Sequence, residues 1–287
     1  MYIIILTMHI LITGGNGNLA TILKKGLSNV HNIESPGRSE MNMLDMDNMK
    51  QYLQNKTFDV VIHTAIQGGR RTKPDTLEQV YNNMLMLENL LWFKDNFKMI
   101  INLDSGAIYN RAEDIFKRKE TDIHSIPKDY YGFAKYMIYQ RGLACDNFFS
   151  LRIFNVFHED EEDDRFIKRC VNIAKNGGVL EIYENKYFDF FYKDDFVSVV
   201  KHYIDNVGNK EKLFKTLNLC YEKKHTLADI AKMILGNDAD TQIIVHNDKR
   251  EHNYCGDNSL LKSMNIKLVG LIHSLKITLT TMKEDSA

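Results

Sequence analysis

The stretch "HILITGGNGNLATILKKGL", residues 9–27, constrains this chain more than any other. A short apolar run enters a glycine-rich turn, and helical spacing begins directly beyond it. The pattern predicts a buried first strand, a tight turn and a helix, the opening of a βαβ unit. Gly14 and Gly17 let the backbone turn sharply and approach a pyrophosphate. The helix behind them offers its unpaired first amides, around Asn18 and Leu19, to that charge. Ala20 stands where a third glycine is usual, and a methyl still allows close helix–strand packing.

Strand and helix then alternate. "VHNIES" predicts a second strand, and Asp45 is placed to cap the helix opening in "DMDNMKQYLQN". "FDVVIHTA" is a near-continuous apolar run, as expected of a strand covered on both faces. Pro74 precedes a long periodic helix over roughly 76–95, and "KMIINLDS" predicts a fourth strand. A helix through 130–140 and the strand "FFSLRIFNV" follow. About five alternations of this kind predict a parallel doubly wound sheet.

Beyond residue 157 the rhythm changes. The acidic loop "HEDEEDD" leads to a helix near 165–176, the strand "VLEIY", the stretch "YFDFFYKDD" and a helix starting near Asp195. "FKTLNLC" reads as a strand, Thr226 as a helix cap and "TQIIVH" as another strand. The fold class expected is α/β, a Rossmann-like doubly wound parallel sheet with a smaller mixed α/β lobe at the C-terminus. Residues 1–160 are assigned to a dinucleotide-binding domain. Residues 161–287 form mainly the smaller lobe, with segments near 186–220 returning to the first domain.

With 37 Lys and Arg against 38 Asp and Glu, the charge is nearly balanced, so no nucleic acid or anionic membrane surface is expected as partner. Cys145, Cys170, Cys220 and Cys255 are scattered without a Cys-x-x-Cys pair, which fits a reducing, cytoplasmic setting and no metal. The apolar start "MYIIILTMHILITGG" lacks a basic leader region, so a first strand is expected there rather than a signal. Met1 and Met8 both remain open as the start.

Two features point to chemistry. In "YYGFAKYMIYQ", residues 130–140, Tyr131 and Lys135 are four apart and share a helix face. A nearby ammonium and a positive nicotinamide would favour the phenolate and lower the tyrosine from its usual value near 10. Ser105 ends the fourth strand, on the edge where open sheets place ligands, and could bond the same substrate oxygen. At the second strand, Glu34 could hold ribose hydroxyls, as in NAD sites. Arg38 could instead grip a 2′-phosphate bidentately. NADP(H) is favoured and NAD(H) is possible.

Together these pieces resemble the extended short-chain dehydrogenase/reductase family over nearly the whole chain. The segments that carry the likeness are "TGGNGNLA", "DVVIHTA", "NMLMLENLL", "DSGAIY", "YGFAK", "LRIFNVF" and "FDFFYKDDF". The resemblance implies oxidoreductase chemistry on a nucleotide-diphosphate sugar. Ser105, Tyr131 and Lys135 fall on the family's catalytic positions, and Asn83 on the helix asparagine that organises the lysine region. Thr64, Ala65, Phe154 and Val156 fall on cofactor-lining positions, and Asn42 and Met43 beside the adenine. Gln67, Ser105, Ala107, Asn155, Arg165 and Arg250 are the expected substrate contacts. A homodimer through the helix bearing Tyr131 and Lys135 and the preceding helix over 76–95 is also implied. Leu85, Leu87, Leu91 and Trp92 either contribute to that contact or, for some of them, pack into the core.

Within the family, the run from Arg38 to Gly69 is similar to GDP-fucose synthases, and "LDS" and "DRFI" to CDP-sugar 4-keto reductases. Two departures matter. Ala107 stands where the former have a cysteine, and Arg165 near their histidine, the pair that exchanges protons during C3 and C5 epimerisation. A methyl cannot exchange a proton, and an arginine is a poor base. His158 or His63 could supply a base only if the loops bring them in. Phe188 stands where an arginine would face the substrate phosphates, which leaves Arg250 for that task. The resemblance therefore implies NADPH-dependent reduction of the C4 carbonyl of a 4-keto-6-deoxy sugar without epimerisation. The alternatives are an NAD-dependent 4-epimerase or dehydrogenase, or a non-catalytic cofactor-binding subunit. "DSGAIY" lacks the Asp-Glu pair of the dehydratases.

Overall fold

The computed structural model describes residues 7–70, 73–246 and 252–284, with side chains as far as Met282. Twelve strands are present among these residues. They are β1 (His9–Ile12), β2 (Asn32–Glu34), β3 (Phe58–His63), β4 (Phe97–Ser105), β5 (Ile115–Arg118), β6 (Phe148–Ile153), β7 (Val156–Phe157), β8 (Leu180–Ile182), β9 (Phe191–Tyr192), β10 (Thr216–Leu219), β11 (Ile243–Val245) and β12 (Tyr254–Gly256). The principal helices are α1 (Asn18–Leu27), α2 (Met46–Leu53), α3 (Leu77–Leu91), α4 (Tyr130–Gly142), α5 (Phe166–Asn176), α6 (Lys193–Asp205) and α7 (Leu227–Leu235).

Six strands form one parallel sheet in the order β10-β6-β4-β3-β1-β2. The chain runs from β1 to β2 on one side, then returns across β1 to lay β3 on the other. Such a reversal opens a crevice beyond the carboxyl ends of β1 and β3, the usual ligand position in open α/β sheets. Leu11, Val61, Ile100 and Phe148 point into one buried cluster with Met49, Leu87, Leu90 and Ile138 of the helices. Their strand neighbours Ile10, Val60, Ile62, Met99 and Ile101 are also wholly buried. Successive residues alternate between faces, so the sheet is covered on both.

Helix starts follow the local chemistry. Asp45 accepts from the amides of Asp47 and Asn48. Thr76 and Gln79 make a reciprocal capping box at α3, and Thr226 and Asp229 make another at α7. Of the residues expected at a dimer contact, Leu87 and Leu91 lie in this chain's own core, Leu85 is half-buried and Trp92 is 73% exposed. No helix among the described residues is long and apolar enough to cross a membrane. All four cysteines are buried, and none is in a disulfide.

The chain divides into two compact units. The first holds the residues through Arg111, Glu120–Arg152 and Val197–Leu217. The second holds Ala112–Lys119, Ile153–Phe196 and the residues from Asn218 onward. Inside the second, β5 pairs with β12, β8 with β11 and β7 with β9, all parallel.

A buried ion pair fastens that unit. Lys224 Nζ donates to both oxygens of Asp189 at 3.0 and 2.8 Å, and the Gly256 amide donates to the same carboxylate at 2.8 Å. Burial pushes Asp189 up to about 6, against the opposing pull of Lys224. Replacing Asp189 by alanine leaves Lys224 buried without its partner, and is expected to cost about 3–5 kcal/mol. Urea unfolding measures it; a loss under about 1 kcal/mol would contradict a desolvated pair.

Candidate active site

Gly14 has φ +65°, and a Cβ there would lie 3.0–3.2 Å from Ala65 at the end of β3. A side chain at Gly15 would run into the Ser35 carbonyl after β2. The turn is therefore closed against both neighbouring strand ends, and glycine is what allows it. Thr13 locks the arrangement. Its hydroxyl accepts from the Thr64 and Ala65 amides, both at 3.2 Å, while Thr64 Oγ1 donates to the Thr13 carbonyl at 2.6 Å. Gly17 is the N-cap of α1 and no side chain caps this helix, so the Asn18 and Leu19 end keeps its amides for another acceptor. This cradle fits a dinucleotide pyrophosphate.

At the second strand, Glu34 is already engaged. Its carboxylate takes hydrogen bonds from Lys56 at 2.7 Å and Tyr52 at 2.8 Å, and meets His9 at 3.1 Å. Partial burial raises its pKa, but these three partners bring it below the ordinary carboxylate value. Arg38 is exposed on the loop that follows. Asn42 lies in the turn before α2, its amide donating to Asn48 at 2.7 Å. The Met43 side chain is buried in the core beneath α2 and α3, and its carbonyl accepts from Asn89 at 2.8 Å.

Ser105, Tyr131 and Lys135 come together at this edge. The Ser105 hydroxyl accepts from the Ala107 amide at 3.2 Å and acts on the Tyr131 phenol, drawing its pKa down. Lys135 is buried, with Nζ 5.9 Å from the Tyr131 ring centroid and donating to the Leu103 carbonyl at 2.6 Å. Burial drives Lys135 down to about 8, against the Asp104 carboxylate.

The tyrosine corrects the expectation from sequence. Burial pushes its phenol up to about 12, opposed by Ser105 and Arg111 and reinforced by Asp104 and Asp75. In this chain alone desolvation outweighs the opposing pull of Ser105 and Arg111.

Asn83 also acts elsewhere than expected. Its Oδ1 accepts from the Gln67 amide at 2.8 Å, and its Nδ2 donates to the Gln67 carbonyl at 2.9 Å. The Gln67 side chain accepts from Asn82 at 3.1 Å. Asn83 thus pins the segment after β3 rather than the lysine. Beyond it, the Gly69 amide donates to Asp75 at 2.7 Å. Gly69 has φ +75°, and a Cβ there would fall 2.7–2.9 Å from three Tyr131 ring carbons. Arg111 sits with its guanidinium carbon 5.8 Å from the same ring centroid and pairs with Asp129, the N-cap of α4.

The covered face of the sheet turns polar toward this edge. Thr13 Oγ1 meets His63 Nδ1 at 3.1 Å, Asn102 donates to Ser150 at 3.4 Å, and Arg152 Nε lies 3.2 Å from Asp104 Oδ2. Burial drives His63 down to about 3, so its imidazole stays neutral. Ala107 is fully buried in the short turn Gly106–Tyr109.

The remaining candidates belong to the second unit. Phe154 packs edge-on against Tyr254 at 5.1 Å, Val156 is buried in β7, and the Asn155 side-chain oxygen is buried without a hydrogen bond. Arg165 is the N-cap residue of α5, with Nε 3.7 Å from the buried Glu161 carboxylate. His158 is buried and pushed down to about 4 by desolvation. Phe188 joins an aromatic cluster, 4.9 Å from Phe190 and 5.2 Å from Tyr254. Arg250 lies outside the described residues. No group of three or more potential metal ligands occurs among those described.

Fold and edge together define a Rossmann-type NAD(P)-binding oxidoreductase. The profile of the NAD dependent epimerase/dehydratase family matches residues 10–220, and the chain belongs to that family. No curated protein matches the chain in sequence. Several solved structures share its fold. MlghC, a GDP-mannoheptose C4 reductase from Campylobacter jejuni with NADP bound, superposes with TM-score 0.79 at 15% identity over 96% of this chain and 98% of its own. A GDP-L-fucose synthetase from Naegleria fowleri gives 0.77 at 16% identity over 98% and 97%. WbmG from Bordetella bronchiseptica, solved with NAD and UDP, gives 0.77 at 16% over 97% and 95%.

Proposed function

We propose that this protein reduces the C4 carbonyl of a nucleotide-diphosphate-linked 4-keto-6-deoxy sugar with NADPH, leaving C3 and C5 unchanged. The observation that carries this reading is the convergence of Ser105 and Tyr131 beside a buried Lys135, one helical turn further along α4. Bound NADPH supplies the hydride to the sugar C4. Tyr131 gives its phenolic proton to O4 as negative charge develops there, and Ser105 steadies the same oxygen. Lys135 holds the nicotinamide ribose and places a cation near the phenolate that remains. A phenol pushed up to about 12 is loaded with its proton at neutral pH, the form that reduction consumes.

The absence of an exchanging group at Ala107 supports reduction without epimerisation, as does the pairing of Arg165 with Glu161. MlghC, whose fold is similar, is by its name a C4 reductase. The test is to incubate the protein with NADPH and GDP-, CDP-, UDP- and dTDP-linked 4-keto sugars and follow absorbance. Stoichiometric NADPH loss with at least one sugar is expected; silence across the panel would overturn the reading. A 4-epimerase or dehydrogenase would instead purify with NAD that does not exchange.

The preference for NADPH rests on Glu34, which three partners already occupy, and on the exposed Arg38. Replacing Arg38 by alanine is expected to raise KM for NADPH roughly 10- to 100-fold and leave kcat/KM with NADH nearly unchanged. Equal losses with both cofactors would contradict it. The reading includes a homodimer through α3 and α4; Tyr81 of α3 and its C-cap residue Trp92 are 66% and 73% exposed. Trp92→Glu should then sediment as a monomer; an unchanged mass would remove Trp92 from any interface.

A further inference from the structure

The mechanism above leaves unused the most deeply buried charges in the first unit. Arg152 is wholly buried in β6, and Asp104, next to Ser105 in β4, is 2% exposed. Asp104 Oδ2 lies 3.2 Å from Arg152 Nε, and its Oδ1 accepts from the Ser105 amide at 2.8 Å. Arg152 Nη1 donates to the Tyr109 hydroxyl and the Glu120 carbonyl, both at 2.7 Å, and its guanidinium carbon lies 5.0 and 4.5 Å from the ring centroids of Tyr109 and Tyr139. Nη2 is buried without a hydrogen bond. The residue before Asp104 supplies the carbonyl that Lys135 Nζ contacts at 2.6 Å. One carboxylate thus ties the serine's backbone to a fixed cation, in the strand segment that also anchors the lysine.

Stability alone does not account for such a pair. Well-packed apolar residues of similar volume often serve a core as well or better, and this pair still leaves one nitrogen unsatisfied. Burial pushes Asp104 up, opposed by Arg152 and Lys135; arginine does not release its proton, so a neutral Asp104 would leave a bare cation in the core. The titratable groups that act on or beside Lys135 are Asp104 of β4, itself paired with Arg152, His63 of β3 and Tyr131 of its own helix. Of these, only the carboxylate favours the ammonium while the lysine is desolvated.

We propose that Asp104, held by Arg152, is a positioning residue that fixes the strand end presenting Ser105 and the Leu103 carbonyl on which Lys135 rests. This rests on the reductase reading for its kinetic consequence but not for its electrostatic one. The test uses the full chain as Asp104→Asn and, in case a lone Arg152 prevents folding, as the apolar pair Asp104→Leu with Arg152→Met. Lys135 is titrated by NMR of protein labelled at the lysine side chains, assigned with Lys135→Met, and kcat and KM are followed against pH.

Loss of the carboxylate should lower the Lys135 midpoint by about one unit or more. The alkaline limb of kcat should move with it, with kcat at pH 7.5 reduced about tenfold or more and the sugar KM changed little. A folded variant with an unmoved Lys135 midpoint and an unmoved limb would overturn the proposal and leave the pair a packing feature. If the unmodified protein turns over no sugar, the reductase reading fails, while the titration still decides the role of Asp104.

Discussion

Tyr131→Phe is expected to lower kcat about 10²- to 10⁴-fold while NADPH binding stays within a few-fold. The substitution removes one oxygen and keeps the ring that Gly69 and Arg111 pack against. The loss is therefore one of proton donation rather than of shape. Ser105 cannot take over, because an aliphatic hydroxyl is a far weaker acid than a phenol. Steady-state kinetics alongside a fluorescence titration of NADPH separates the two effects. Near-normal turnover would mean that the proton comes from elsewhere. Intact turnover in neither protein, with NADPH affinity lost only in the variant, would instead favour a cofactor-sensing subunit.

Gly69→Ala is expected to cost about 100-fold in kcat/KM with a much smaller loss of stability. The new methyl would meet the Tyr131 ring at 2.7–2.9 Å, at a backbone φ of +75° that disfavours any side chain. Asp75 holds the Gly69 amide and Asn83 holds Gln67, so the segment cannot retreat freely. The ring must move instead, and displacement of a reacting group by about 1 Å is enough to cost two orders of magnitude. A companion Gly208→Ala, at a site where a methyl meets nothing within 4 Å, should leave activity unchanged. Wild-type kinetics in Gly69→Ala would show that the loop does not set the phenol's position.

Much of this was readable in the residues because it is local. Asp45, Thr76 and Thr226 cap the helices that their side chains suit. The four-residue spacing of Tyr131 and Lys135 puts both on one face of α4, and the glycines after β1 sit where a tight turn must be. What stayed hidden depends on contacts between distant segments. Asp104 and Arg152 lie 48 positions apart, and only the pairing of β4 with β6 brings them together. Glu34 reads as a ribose ligand until Lys56 and Tyr52 arrive from the α2 side and occupy it. In the chain by itself the Tyr131 phenol is pushed up, because spacing reports the neighbouring lysine but not the depth of burial. Asn83 reads as a partner of the lysine region, yet its amide closes on the backbone of Gln67. Phe188 reads as a missing arginine, yet it fills an aromatic cluster.

The most direct test follows the hydride itself. NADPH carrying deuterium at the transferable nicotinamide position would be incubated with the sugar that consumes it, and the product read by NMR and mass spectrometry. One deuterium at the sugar C4 per NADPH oxidised, with none of the C3 or C5 protons exchanged in heavy water, is the result predicted. Unlabelled product formed without net NADPH consumption, or solvent exchange at C3 or C5, would contradict the account.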